Sequence, residues 1–268
     1  MFEDRGFRWA VAALGWLGMA FIVAPVLLTV LVSFNDSFFI EVPPNEYSLR
    51  WYYNIGAINK IWEATLTSLG VALASATLVT ILGLIAALAL TRHAFPAKPA
   101  VTAFLLSPVT VPIAAIGIAL IQFFLWLDIA FTWASLVIGH MVLVCAYPVR
   151  TIVASLTLSN PSLEEAAASL GANRWTAFWT ITLPQLKPGI VSGFLFAFLI
   201  SFDNYPISVF LVRGGLTTMP IEFFGYISQN LDPTPAAFST IYILVVSAII
   251  IFIEKRFRVI SVSIGERG

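Results

Sequence analysis

Asp203 stands in the segment Ile200-Ser201-Phe202-Asp203-Asn204-Tyr205-Pro206, inside an apolar run from about Pro188 to Val212. A carboxylate near mid-membrane costs at least roughly 2.5–3.5 kcal/mol, so it is expected to face a cavity or a partner. Between Phe202 and Tyr205 it could hold a cationic ammonium group, by charge pairing and cation–π contact. The competing reading is an Asp paired across an interface to keep helices in register. Pro206 removes a helical hydrogen bond and is expected to open the helix beside it. One cysteine, Cys145, and two separated histidines, His93 and His140, exclude a disulfide framework and a cysteine–histidine metal cluster. Cys145 lies in an apolar run and reads as a small packing residue. His140 reads as a hydrogen-bonded packing residue rather than a proton relay, because no carboxylate lies a helical turn away. Without paired carboxylates or histidine clusters in the spans, a membrane enzyme has little support.

A second concentration of charge occurs in Ser159 to Pro188, which carries Glu164, Glu165, Arg174 and Lys187 between two long apolar segments. Its first half predicts a short helix. Pro161 suits the first helical position with Asn160 as cap, and Ser162-x-x-Glu165 offers a competing capping box. Leu163 to Leu170 is almost entirely good helix formers, and Gly171 permits the left-handed turn that ends a helix. Asn173 can cap a second short helix from Arg174 to about Thr180, which Pro184 is expected to terminate. The small residues Ala166, Ala167 and Ala168 would let another protein's surface approach closely. An amphipathic helix lying on lipid headgroups is the alternative.

Glu165-Ala166-Ala167, three residues, Gly171, nine residues, Ile181, one residue and Leu183-Pro184 resemble the coupling motif of the permease subunits of bacterial ABC importers. The resemblance implies that this loop docks into a groove of an ATPase subunit and passes its closure to the transmembrane helices. Glu164, Glu165, Ala166, Ala167, Gly171, Arg174, Leu183 and Pro184 are the coupling residues it implies. Ser48-Leu49-Arg50-Trp51-Tyr52 is similar to an outer loop of polyamine permeases. Ser201-Phe202-Asp203-Asn204, followed by Gly214-Gly215 and Thr218-Met219-Pro220, resembles the fifth helix and outer loop of spermidine/putrescine permeases. Tyr205 stands where that group is commonly aromatic; Asn204 stands where it more usually has a second acid. Phe202, Asp203, Asn204 and Tyr205 are the implied pathway residues.

The elements that must position these groups are membrane spans. Of the 268 residues 59% are hydrophobic and only 10% charged, and the mean hydropathy is +0.93. Soluble domains carry about a quarter charged residues. The first apolar segment, Trp9 to Phe34, is long enough to cross a core of roughly 30 Å and too long for a signal peptide, so it reads as a retained helix. The polar connection Asn35 to Trp62 contains Trp51-Tyr52-Tyr53, expected at the membrane interface. Further spans are expected at about Ala64–Leu90, Val101–Trp126, Trp133–Leu156, Pro188–Val212 and Ala236–Ile253. Pro108, Pro112 and Pro148 predict kinks, either lining a pathway or serving packing. Glu222 and Asp232 fall in an outer loop, Gly214–Pro235, and read as a solvated face.

Six spans put both termini on one side. That side carries Arg5, Arg8, Arg92, Lys98, Arg150, Arg174, Lys187, Lys255, Arg256, Arg258 and Arg267, eleven of fourteen basic residues. The opposite side carries Arg50, Lys60 and Arg213. An excess of Lys and Arg marks the cytoplasmic side, which places the Glu165 loop there without help from the resemblance. Lys255, Arg256 and Arg258 read as an anchor at the headgroups. The zero net charge gives no sign of nucleic-acid binding, and no G-x-x-x-x-G-K-[ST] phosphate loop occurs.

The expectation is an all-α integral membrane protein of six transmembrane helices. It divides into a peripheral first helix and outer loop (1–62), a permease core (63–258, with the coupling loop 159–188) and a cytoplasmic tail (259–268). The resemblance implies the type I ABC importer fold in a bacterial inner membrane, for a small organic cation such as putrescine or spermidine. It implies a second homologous permease, two ATPase subunits holding ATP and Mg²⁺, and a periplasmic binding protein. The chain itself would bind no cofactor or metal. A γ-aminobutyrate-like or opine-like substrate, or an ion-coupled transporter without an internal repeat to support it, are the alternatives.

Overall fold

The computed structural model describes residues 5–257; the tail 259–268, with Arg258 and Arg267, lies outside the described residues. Among the described residues there is no strand, and the only pairing of extended backbone is an isolated bridge between Asn35 and Tyr47. Four helices are long and apolar enough to cross a membrane: Gly6–Ser33, Asn59–Arg92, Arg174–Phe202 and Thr234–Lys255. Two bent pairs, Lys98–Val109 with Ile113–Trp126 and Trp133–Val144 with Ala146–Leu158, bring the number to six when each is one span. The protein is multi-pass and all-α, because in lipid every backbone polar group must find its partner within the chain.

The chain forms two compact units. The first lies within Met1–Asn59 and Phe223–Ile250. Its helix α1 (Arg5–Ser33) exposes Leu14, Trp16, Phe21 and Ile22, a surface suited to acyl chains. The connection after it is less irregular than expected, because Arg50–Ala57 forms a helix, α2. Its aromatics also turn inward rather than to an interface. Trp51 is 2% exposed against Ile55 and Ala237, and its indole N–H donates to the Asn35 carbonyl at 2.5 Å. The Tyr52 hydroxyl lies 2.6 Å from Ser33 Oγ, and only Tyr53 stays exposed. Burial with satisfied polar tips outweighs the interfacial preference of these rings.

The second unit lies within Lys60–Glu222 and Ile251–Gly268. In it α3 (Asn59–Arg92) is followed by α4 (Lys98–Leu106) and, beyond a short 3₁₀ turn, by α5 (Ile113–Trp126). The expected continuous span Val101–Trp126 is broken by 103° around Pro108 and Pro112. Each proline lacks an N–H for the helix and resists the turn before it, so two prolines four residues apart end one helix and start another. The pair α6 (Trp133–Val144) and α7 (Ala146–Leu158) bends by only 42°. Pro148 there is buried, a packing kink.

The charged stretch supplies α8 (Pro161–Ser169) and α9 (Arg174–Ala177). Pro184 does not terminate the helix that follows. A five-residue π turn, Phe178–Thr182, leads into α10 (Leu183–Phe202), and the wider turn accommodates a residue that has no N–H to donate. α11 (Tyr205–Leu211) follows a break at Asp203 and Asn204, so the expected span Pro188–Val212 is two helices. The expected outer loop Gly214–Pro235 contains α12 (Met219–Gln229), and α13 (Thr234–Phe257) completes the described chain.

The core of the second unit gathers Val71, Phe124, Leu136, Leu143, Ala197, Ile207 and Leu211 from α3, α5, α6, α10 and α11. A smaller cluster of Ala87, Ile152, Leu156 and Leu186 joins α3, α7 and α10 near the charged stretch. α7 and α10 approach closely at Gly189 and Gly193, where a Cβ would lie 2.7 Å from the Thr151 carbonyl oxygen and 2.7 Å from Pro148 Cα, respectively. Thr151 Oγ1 of α7 donates to the Gly189 carbonyl of α10 at 2.8 Å.

Candidate functional site: an exposed loop helix and a broken span

The local signals of the charged stretch fold as their chemistry dictates. Asn160 Oδ1 accepts from the Ser162 backbone N–H at 3.1 Å and from the Ser162 hydroxyl at 2.8 Å, and Pro161 follows as the first helical residue. The cap therefore falls on Asn160, and the alternative box beginning at Ser162 is not made. At the other end Gly171 adopts φ +87°, with its N–H bonded to the Ala168 carbonyl and that of Ala172 to Ala167. This is a Schellman closure, and it needs the left-handed residue that glycine supplies without Cβ strain. Asn173 then caps α9 through the Thr176 N–H at 2.8 Å.

The two acids of α8 point to different places. Glu165 and Ala166 are exposed, Ala167 is half-buried, and Leu163, Leu170 and Trp175 lie exposed beside them. Together they form an exposed apolar surface around a single acid. Glu164 instead faces inward: its Oε1 accepts from Arg92 at the end of α3 and from the Thr182 hydroxyl at 2.6 Å. This contact puts the turn after α3 and the loop of α8 on the same side of the unit, as the six-span topology requires. Arg174 and Pro184 are exposed and Leu183 is half-buried. Trp175, Trp179, Arg92 and Thr182 were not signalled by the motif. An exposed tryptophan in a polar loop is readable as a contact residue, whereas Thr182 in its apolar surroundings gives no sign of its partner.

At the other end of α10 the chain breaks where the acid stands. Asp203 is the last cap of α10, so the carboxylate lies at the end of a long helix rather than within one. It is exposed, and among the described residues no basic group lies within ion-pairing distance of it. Phe202 stacks on Phe198, which stacks on Phe194, at centroid distances of 6.0 and 6.3 Å. Asn204 is buried, and its Oδ1 accepts from the Ile207 N–H at 2.9 Å, so this member of the set caps α11. Tyr205 is the half-buried first residue of α11, and Pro206 sits in its first turn.

His140 holds this break. It is 1% exposed, with Nδ1 2.8 Å from Ser201 Oγ before the break and Nε2 3.1 Å from Ser208 Oγ after it. Ser208 Oγ donates its single proton to the Asn204 carbonyl at 2.6 Å, so Nε2 must carry the imidazole proton and Nδ1 must accept from Ser201. The reading of His140 as a bonded packing residue is borne out. The bend of α4 and α5 leaves a hollow of about 400 Å³ lined by Val79, Leu82, Phe104, Met141 and Cys145. Its apolar walls offer an ammonium nothing, and Cys145 serves there as the small packing residue expected.

The sequence matches the family described as "Binding-protein-dependent transport system inner membrane component" over residues 79–258. It is 33% identical over 232 residues to the putrescine transport system permease protein PotI of Escherichia coli (strain K12), covering 84% of this chain and 82% of that one. Identity is 29% to the spermidine/putrescine transport system permease protein PotC of Haemophilus influenzae, over 87% and 90%. It is 30% to the molybdenum transport system permease protein ModB of Mycobacterium bovis, over 70% and 76%. The fold superimposes with a TM-score of 0.71 on a bacterial ABC transporter involved in the import of alginate, at 16% identity over 96% of this chain and 99% of that one. The expected type I importer fold is borne out, and the protein is a non-catalytic transport component. The chain belongs to the family of binding-protein-dependent transport system inner membrane components, the permease subunits of ABC importers.

Proposed function

We propose that this permease carries a small organic cation of the polyamine class, driven by ATP that a partner chain hydrolyses. The observation that carries the substrate class is Asp203, an exposed carboxylate without a basic partner among the described residues, held at a helix break between aromatic neighbours. Relatives named for putrescine and spermidine support the same class. A relative named for molybdenum shares the fold, so the charge of the cargo follows from the pathway residues and not from the architecture.

The exposed side of α8, led by Glu165 and Ala166 with Ala167 beneath, docks into the ATPase. Gly171, Arg174, Leu183 and Pro184 shape the loop behind it. The permease core is 63–258 with its coupling loop 159–188; residues 1–62 are peripheral, and 259–268 are a tail. A second homologous permease, two ATPase subunits holding ATP and Mg²⁺, and a periplasmic binding protein complete the importer. The loop and both termini face the cytoplasm, as the bias of eleven basic residues among fourteen supports.

The test is uptake of labelled putrescine and spermidine by vesicles that hold the full complex, with and without ATP. ATP-dependent uptake that excess γ-aminobutyrate does not block is expected. Asp203→Asn should raise the half-saturating concentration at least about tenfold, since a charge-assisted bond contributes about 1.5–3 kcal/mol. Uptake of γ-aminobutyrate alone overturns the substrate class. Uptake that follows an ion gradient and ignores ATP overturns the importer.

A further inference from the structure

The carboxylate of Glu164 joins three elements of the second unit. It belongs to the first turn of α8 and accepts from Arg92, the last residue of α3, and from Thr182, the last residue of the π turn before α10. Thr182 is 1% exposed, and the carboxylate is the acceptor for its hydroxyl. A second, longer tie runs from the Asn160 N–H to Gln185 Oε1 at 3.3 Å, again from the start of α8 to the start of α10. Behind these bonds Ala87, Ile152, Leu156 and Leu186 pack α3, α7 and α10 together.

The arrangement is suited to transmission more than to folding. The Arg92 and Glu164 side chains are 38% and 28% exposed, and an ion pair in that environment adds little to stability. Its geometry is nonetheless specific. One oxygen is shared by a guanidinium on one span and a buried hydroxyl on another, so displacement of α8 must move both span ends or break the bonds. The docking face of α8 carries Glu165 and Ala166, whereas Glu164 faces the spans. One helix thus presents one acid outward and one inward.

We propose that Arg92, Glu164 and Thr182 form a latch that passes movement of α8 to α3 and α10, as positioning residues for transport. The proposal rests on the reading of α8 as the ATPase-docking element. The full complex in vesicles is assayed for ATP hydrolysis, uptake per ATP hydrolysed and retention of the ATPase on purification. Glu164→Gln and Thr182→Val should each lower uptake per ATP at least threefold, with the ATPase retained. Arg92→Lys and Thr182→Ser, which keep the charge and the hydroxyl, should stay within twofold of the parent. Arg92→Glu and Glu164→Arg should each fail, and their combination should recover uptake per ATP relative to either alone.

Unchanged uptake per ATP in Glu164→Gln and Thr182→Val overturns the latch. So does a reversed pair no better than its single members, which marks a structural role. Should the charge variants not accumulate, Thr182→Val against the parent, with Thr182→Ser as the hydroxyl-retaining control, still decides the matter, since valine differs from threonine only by a methyl in place of the hydroxyl. Loss of the ATPase from Glu164→Gln would place Glu164 in the docking surface and overturn the latch. A parent complex without ATP-dependent uptake removes the importer reading itself, a result distinct from all of these.

Discussion

Gly193→Ala tests how closely α7 and α10 are joined. The added Cβ would lie 2.6 Å from Thr151 Oγ1, 2.7 Å from Pro148 Cα and 3.2 Å from Pro148 Cβ, where ordinary contact begins near 3.4 Å. Thr151 could turn aside, but Pro148 Cα is backbone. The helices must therefore part by about 0.7 Å, which strains the neighbouring bond from Thr151 Oγ1 to the Gly189 carbonyl. Overpacking of this kind costs about 1–3 kcal/mol, and the preference of a helix for alanine returns about 0.5–1 kcal/mol. The expected net loss is up to about 2.5 kcal/mol, centred on about 1 kcal/mol, read as a lowered melting midpoint of the detergent-solubilised complex. Gly225→Ala is the control. It lies in α12 with nothing within 4 Å of its added Cβ, and should leave the midpoint unchanged or raised. Thr151→Ala added to Gly193→Ala should restore only part of the loss, because Pro148 remains. A Gly193→Ala protein as stable as Gly225→Ala would refute the close contact and the rigid pairing of α7 with α10.

Three further outcomes are expected. His140→Ala removes both bonds across the α10–α11 break and leaves Ser201 and Ser208 buried, so it should destabilise by about 2–4 kcal/mol; a melting midpoint equal to the parent's would count against the clamp. Trp51→Phe keeps the ring volume near that of the core but leaves the buried Asn35 carbonyl without its donor, an expected loss of about 1–3 kcal/mol, read as proteolytic susceptibility of the Asn35–Arg50 connection. Gly171→Val forces a β-branched residue to φ +87°, which should leave insertion intact and weaken retention of the ATPase on purification; unchanged retention would contradict the role of the Schellman closure.

Features fixed by neighbours in sequence were readable, and those fixed by neighbours in space were not. Asn160, Pro161, Gly171 and Asn173 act on backbone groups within a few residues, so their types announced the ends of α8 and the start of α9. Hydropathy located the apolar segments because lipid acts on composition alone. It could not report direction, so the 103° break inside Val101–Trp126 passed as a kink. Pro184 was misread as a stop because the π turn that accommodates it has no composition signature. Trp51 and Tyr52 looked interfacial, but their acceptors, the Asn35 carbonyl and Ser33 Oγ, lie 16 and 19 residues away. The site was legible in part. Asp203 was identified as the exceptional acid, while the capping role of Asn204 was hidden behind its position beside that acid. Glu164 and Glu165 are adjacent in sequence and indistinguishable by type; only the tertiary position of Arg92 and Thr182 separates them.

The two candidate regions occupy opposite ends of one helical span. Arg174–Phe202 runs for 29 residues, about 40 Å at roughly 1.5 Å per residue, from the end of the α8 loop to the cap at Asp203. Its side is held against α7 at Gly189 and Gly193, so it cannot bend there without moving α7 as well. The chain then breaks at Asp203 and Asn204, and across that break the bonds from α6 run through His140. Displacement of the Arg174 end has few places to be absorbed. The π turn lies at one end and the Asp203 break at the other, each where helical hydrogen bonding departs from its regular pattern. A carboxylate at the second of these points changes position or neighbours whenever the rod moves. A carboxylate in mid-helix would only be carried along with its surroundings. On the proposed function, binding and release of a cation require the first kind of response, in which the affinity of the acid differs between two states of the helix. The break beside Asp203 thus stands at the far end of the span whose near end the proposed latch at Glu164 would move.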